Sequence, residues 1–308
     1  MGIGRSLLLA AAKSDALNRF ATQSRAVQRA TRAFMPGERM EDGLVAGAAV
    51  ARTGRSVLYT RLGEALTQPH ESIAVRDHYL ALFDAIKQRG LPAQVSVKPT
   101  QLGLDLSIDD CAQHCVALAD KAEATGSALW LDMEDVSYVD RTLDLYRTIR
   151  ARHARAGLAL QAYLYRTPKD VEALLPLNPT IRLVKGAYAE PAEVAFPKKA
   201  DTDAAFEQIS VQMLEGAKHN SCTPILGTHD MPLLRRIIAH ARGKQVAQGK
   251  YEIHMLYGIR DRDQRQLQSE GETVATLISY GEAWYRWYMR RLAERPANIG
   301  FVVRSMFG

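Results

Sequence analysis

Past residue 50 the chain alternates between two hydrophobic periods. Short apolar runs of strand length are followed by longer stretches in which apolar residues recur every three or four positions, the spacing of an amphipathic helix. The runs predict strands over 57–61, 94–98, 128–133, 159–164, 181–185, 224–228, 252–256 and 273–278. The longer stretches predict helices over 72–89, 108–124, 139–155, 203–218 and 233–242. Ser107, Thr167 (with Pro168 behind it) and Asp230 stand where N-caps are wanted, and Gly90, Gly126 and Gly157 punctuate the ends. Strict alternation argues a parallel sheet, and eight units suggest an α/β fold closed as a (β/α)8 TIM-like barrel. An open doubly wound sheet is the rival, but no GxGxxG follows the first strand. Residues 1–50 lie outside the rhythm and read as an N-terminal helical arm, leaving 51–308 as one barrel domain.

Alternation within the strands carries the functional signal. Residues of a barrel strand point in turn toward the interior and toward the helices. Val95, Val97, Leu129, Leu131, Leu183, Ile253 and Met255 make one face apolar. The other face holds Gln94, Ser96, Lys98, Asp132, Glu134, Gln161, Arg182, Glu252 and His254. Barrel interiors are ordinarily filled by branched apolar side chains. Unpartnered ionisable groups there would cost several kcal/mol each, so these must pair or serve a ligand. Lys98, Asp132 and Arg182 fall at or near the carboxyl ends of their strands, where barrel active sites lie. A ligand site is favoured over a purely structural salt-bridge cluster.

A second signal lies near the C-terminus, where Arg290 and Arg291 are adjacent and Glu294 follows one helical turn on. Paired planar guanidinium forks suit a carboxylate. Any surface helix could carry this motif, but Trp284, Tyr285, Trp287 and Tyr288 just upstream point to a partly buried helix that carries the Arg-Arg pair.

Composition narrows the class. The balance of 47% apolar and 24% charged residues is that of a soluble globular chain, and no apolar run approaches the roughly 20 residues of a membrane span. Three cysteines give no disulfide framework and fit a reducing, cytoplasmic setting. Much of the net charge of +6 sits in residues 1–35, where Arg5, Lys13, Arg19, Arg25, Arg29 and Arg32 face only Asp15. With just Phe20 and Phe34 interleaved, this arm lacks the stacking residues of a nucleic-acid binder, and no nucleic-acid partner is expected. A packed helical arm is favoured over a transit peptide, and peripheral contact with the anionic inner membrane is a further expectation.

The segments SVKPTQLG, LDMED, QAYLYRT, RLVKGAY, GTHD, MLYGIR and YMRRLAERPAN, in this order and spacing, resemble the monofunctional, FAD-dependent proline dehydrogenase family over roughly residues 50–305. The resemblance implies oxidation of L-proline to 1-pyrroline-5-carboxylate by hydride transfer to flavin N5, with electrons passed on to a membrane quinone. By position, it implies that Lys98, Arg290 and Arg291 clamp the substrate carboxylate, braced by Glu294, and that Asp132 hydrogen-bonds around the pocket. Gln161 and Arg182 would contact the flavin ring, with the arginine near N5. Val184, Lys185, Gly186 and Ala187 would lie beside the flavin and its phosphates, and Thr228 and His229 would complete the cofactor site. Tyr188 would form a pocket wall and Leu256 would lie against the substrate ring. A fixed positive charge at Arg182 suits the negative charge that develops on a flavin as hydride arrives.

Two positions depart from the family pattern. Leu277 stands where a tyrosine is usual, four residues before Gly281, and Trp287 replaces a tyrosine three residues before the arginine pair. Both line the substrate pocket in the family, so the departures raise the expectation that 4-hydroxyproline or a larger cyclic imino acid is accepted. The alternative is that Tyr280 or Tyr285 refills the gap. Other chemistries compete less well. A Schiff-base aldolase would use Lys98 or Lys185, a metal-dependent hydrolase would need an HxH pair absent from the first strand, and a catalytically dead barrel would not keep the charged set. Cys111, His114 and Cys115 are a poor tetrahedral set and read as packing residues, so no metal is expected.

Overall fold

The computed structural model describes residues 24, 27, 31–63, 66–285 and 287–289. Eight parallel strands close on themselves in sequence order: β1 (Ser56–Arg61), β2 (Ala93–Val97), β3 (Leu129–Leu131), β4 (Ala156–Gln161), β5 (Thr180–Val184), β6 (Thr223–Gly227), β7 (Glu252–Leu256) and β8 (Val274–Tyr280). Closure is made by β1 against β8, six residue pairs from Ser56 with Ala275 to Arg61 with Tyr280. A helix precedes β1, α1 (Met40–Ala51), and packs across the β1–β8 seam. Gly43 and Gly47 let it approach, because a Cβ would meet the Tyr280 ring or the Tyr59 hydroxyl. The helices between strands are α2 (Pro69–Gln88), α3 (Ile108–Ala124), α4 (Val139–Arg150), α5 (Thr167–Leu174), α6 (Lys199–Lys218), α7 (Met231–Gly243) and α8 (Asp261–Ser269).

The expected division of the strand faces holds. Val57, Tyr59, Val95, Val97, Leu129, Leu131, Leu183, Ile253 and Met255 are buried in the layer between sheet and helices. The apolar interior is a small, separate cluster of Leu58, Trp130 and Ile225 with Leu277 against it. Two anticipated caps are made: the Ser107 hydroxyl accepts from the Asp110 N–H at 3.2 Å and the Asp230 carboxylate from the Leu233 N–H at 3.3 Å. Gly90 and Gly126 have φ of +60° and +73°, as helix-ending glycines should.

Several expectations are corrected. β4 begins at Ala156 rather than 159, and Gly157 lies inside it rather than punctuating a loop, because a Cβ there would come within 2.5 Å of the Trp130 ring. The apolar residues after Gln161 leave the strand, and Leu164 bridges instead to Ala195 in the long loop after β5. Thr167 is no N-cap: α5 starts on it, and its hydroxyl donates to the Gln161 carbonyl at 2.6 Å. α4 ends at Arg150 instead of 155, and its guanidinium turns back onto the carbonyls of Ala156 and Leu177 at 3.1 and 3.2 Å.

Candidate active site

Lys98, Asp132, Gln161 and Arg182 gather toward the carboxyl end of the barrel, while Gln94 and Glu252 stand at the amino ends of β2 and β7. Arg182, from β5, lies 4% exposed over the Trp130 ring, its guanidinium carbon 4.9 Å from the ring centre. It donates to Asp132 and, at 3.0 Å, to the Ser96 hydroxyl, which itself donates to the same Asp132 oxygen at 2.7 Å. Burial pulls the Arg182 guanidinium below its ordinary value, and Asp132 works against that pull. The Lys98 ammonium stands 3.7 Å from the second Asp132 oxygen. Three strands thus place two cations on one carboxylate, an arrangement that attracts a further anion.

Some polar atoms here are buried and find no partner: Arg182 Nη1, Gln161 Oε1, His254 Nδ1 and Ser279 Oγ. Buried polar groups are nearly always bonded, so an orphaned donor and acceptor on the adjacent strands β5 and β4 make this a candidate ligand position. His254 meets the Trp130 ring edge-on, with ring centres 5.4 Å apart, and is bonded to Glu252 at 3.2 Å. Burial lowers its pKa, with Glu252 opposing.

The remaining residues frame the mouth. Val184 is half-buried on the same face as Arg182, while Lys185 points away and binds Asp203 at 2.5 Å and Asp230 at 2.8 Å. Burial would raise Asp230, but bonds from Lys185 and the Leu233 N–H, with the charges of Lys185 and Lys199, bring it down to about 2. Gly186, at φ +116°, packs its bare α-carbon on the Tyr163 ring, leaving backbone where a side chain would stand. Ala187 is exposed and Tyr188 half-buried. The Thr228 hydroxyl accepts from the Asp230 N–H at 3.2 Å, and His229 Nε2 accepts from the Leu256 N–H at 2.9 Å, which fixes its tautomer. Leu256 and Leu277 are half-buried, Leu277 against the interior cluster.

Trp287 is buried with Met35, Leu62, Trp284, Tyr285 and Tyr288 in a separate cluster. Tyr280 does not refill the space beside Leu277: it lies on the outer face of β8, under α1, and its hydroxyl shares a hydrogen bond with His78 at 2.7 Å. Arg290, Arg291 and Glu294 lie outside the described residues. Cys111 and His114 pack against the Pro99 and Leu102 carbonyls, and Cys115 is buried beside them. Among the described residues no three His, Cys, Asp or Glu side chains gather to hold a metal ion. Sequence reasoning placed Ser96 on the inward polar face without naming its partners and gave no role to Trp130, although both share the inward parity of Lys98 and Asp132. Glu190, which accepts the Val136 N–H at 2.9 Å and so ties the loop after β5 to the loop after β3, had no periodic signal at all.

Comparison with known proteins agrees with this fold. Residues 45–304 match the family described as Proline dehydrogenase. Proline dehydrogenase 1 of Bacillus subtilis (strain 168) is 33% identical over 303 residues, covering 98% of both chains. The proline dehydrogenase of Deinococcus radiodurans is 36% identical over 286 residues, covering 89% of this chain and 88% of that one. Among solved structures, proline utilization A from Bdellovibrio bacteriovorus has the same fold at a TM-score of 0.81 and 21% identity, over 96% of this chain and 39% of that one. A closed barrel with its charge gathered at one mouth, and relatives matched over nearly their full length, place this chain in the proline dehydrogenase family of oxidoreductases.

Proposed function

We propose that this protein oxidises L-proline to 1-pyrroline-5-carboxylate with FAD as its cofactor, and that a quinone takes the electrons on. The observation that carries the reading is the orphaned pair at the barrel mouth, Arg182 Nη1 and Gln161 Oε1. A flavin ring offers both acceptors along one edge and an N–H, chemistry that matches one free donor and one free acceptor. Gln161, Arg182 and Val184 would hold the ring, and Lys185, Gly186, Ala187, Thr228 and His229 the rest of the cofactor. Bound there, the flavin supplies the two-electron oxidant that no side chain can provide.

The chain's own residues do the rest. The Lys98 ammonium, with Arg290 and Arg291, attracts and orients the substrate carboxylate, and Glu294 braces the arginine pair. Orientation of this kind is worth several kcal/mol of barrier. Asp132 holds Arg182 in place, and Arg182, fixed and buried, favours negative charge appearing beside it. Tyr188 and Leu256 wall the pocket. The peripheral membrane contact of the basic arm belongs to the same reading, since it would bring the enzyme to its quinone.

Anaerobic addition of L-proline to the purified protein tests this directly: the yellow colour should bleach. A colourless protein that takes up no added FAD would sink the proposal. The second reading, a preference for 4-hydroxyproline, draws on Ser279, whose buried hydroxyl is free two residues from Leu277 on the same strand face. It could bond a substrate hydroxyl. If trans-4-hydroxyproline is the better substrate, Leu277→Tyr should lower its kcat/KM relative to proline; an unchanged ratio removes this reading.

A further inference from the structure

Glu134 has no part in the site as described, yet it is 8% exposed and two residues beyond Asp132. Its two carboxylate oxygens are both used on a single residue of the neighbouring strand end. One accepts the Thr100 hydroxyl at 2.7 Å and the other the Thr100 backbone N–H at 3.1 Å. Thr100 belongs to the short 3-10 turn Pro99–Leu102, for which Lys98 is the capping residue. Pro99 has no N–H, so Glu134 takes the first backbone donor that the turn after Lys98 offers. Burial raises the Glu134 pKa, while the two bonds to Thr100 and the charge of Lys98 act to keep it ionised.

The arrangement resolves a conflict within the site. Lys98 and Asp132 are opposite charges on adjacent strands, and a flexible lysine stem would close onto the carboxylate if the backbone let it. A lysine spent on Asp132 has less attraction left for a substrate. The observed separation is 3.7 Å, at the outer limit of an ion pair, while Asp132's other oxygen is already occupied by Arg182 and Ser96. The strand end bearing Lys98 is tied down by Glu134 at Thr100. We propose that Glu134 is a positioning residue: through Thr100 it fixes the turn after β2 so that the Lys98 ammonium stands off from Asp132 and stays available to a ring carboxylate. This rests on the reading of Lys98 as the carboxylate ligand of a proline-oxidising enzyme.

The test uses the full-length, FAD-loaded protein and the variants Glu134→Ala, Thr100→Val and Thr100→Ser. Two quantities are read: steady-state oxidation of proline, and calorimetric binding of tetrahydrofuran-2-carboxylate, a ring carboxylate that cannot be oxidised in the same way. Losing a hydrogen bond to a charged group should raise both the proline KM and the analogue Kd about tenfold, with kcat within about twofold. Thr100→Ser, which keeps the hydroxyl, should restore both. A lowered melting temperature with unchanged KM and Kd would show Glu134 to be merely structural and overturn the proposal. If Glu134→Ala fails to fold, the Thr100 pair decides by the same criteria. Wild-type protein that binds the analogue but does not oxidise proline would defeat the proposed function instead, and the binding arm would still judge Glu134.

Discussion

Arg182 is the residue on which most of the site converges, and its neighbours make it irreplaceable. It stacks on Trp130, reaches Ser96 and Asp132 with one nitrogen, and keeps the other free in a buried position. A lysine cannot do all three, since it has neither a planar face nor a second nitrogen. Arg182→Lys should therefore retain the fold, with kcat/KM for proline falling at least about a hundredfold; a loss of less than about tenfold would show that the free nitrogen does little. Gly157 makes the complementary case for space. Its missing side chain admits the Trp130 ring, so Gly157→Ala should cost about 1–3 kcal/mol by chemical denaturation and disturb Arg182 through its stacking partner. The parity of the polar residues made Lys98, Asp132 and Arg182 legible from the chain, because alternation is a local property of a strand. What Glu134 touches was not legible, since its partner Thr100 is met only after two strand ends are laid side by side.

At the scale of elements, strand and helix order could be read almost throughout, because each element's period is set by its own side chains. Boundaries failed where long-range contacts intervened: Gly157 was drawn into β4 by Trp130, and Thr167 was diverted from capping by the Gln161 carbonyl. The ends of β5, α6 and α7 are joined by a network of which only the Lys199–Asp203 pair, four residues apart on one helix, is local. Lys185 and Lys199 bridge Asp203 and Asp230, and both carboxyls are held below their ordinary values: burial opposes this, but the bonds from the two lysines prevail. A carboxyl whose folded pKa is depressed contributes stability in full above its unfolded value near 4 and loses it as pH falls. For Asp230 the loss runs down through about 2. Acid unfolding followed by circular dichroism should therefore be shallower between pH 4 and 2 in Lys185→Met than in the wild type. Parallel curves would mean the network adds nothing to stability.

The whole molecule has a second acid sensitivity, set higher on the pH scale. His78 is brought down to about 4, first by burial and then by the nearby charge of Arg61, and burial also lowers His254. An unfolded chain would protonate both near 6.5, so protons favour unfolding as soon as pH drops below that value. Stability should be full above about pH 6.5 and decline toward pH 4 before the carboxylates titrate. Guanidinium midpoints at pH 7 and pH 5 measure the decline. His78→Gln, which can still bond Tyr280 but carries no titrating ring, should reduce it. An equal decline in that variant would place the sensitivity elsewhere.

The seam between β1 and β8 has a consequence for how the protein comes into being. The first strand's outer edge is satisfied only by the last, along six consecutive residue pairs. During synthesis that edge must wait, bare, until nearly the entire barrel has left the ribosome. α1 cannot shield it alone, for the helix is seated on both strands at once. Closure is thus a late and distant pairing, of the kind that folds slowly. Chains cut short before Val274 should expose an unpaired β1 edge that invites aggregation.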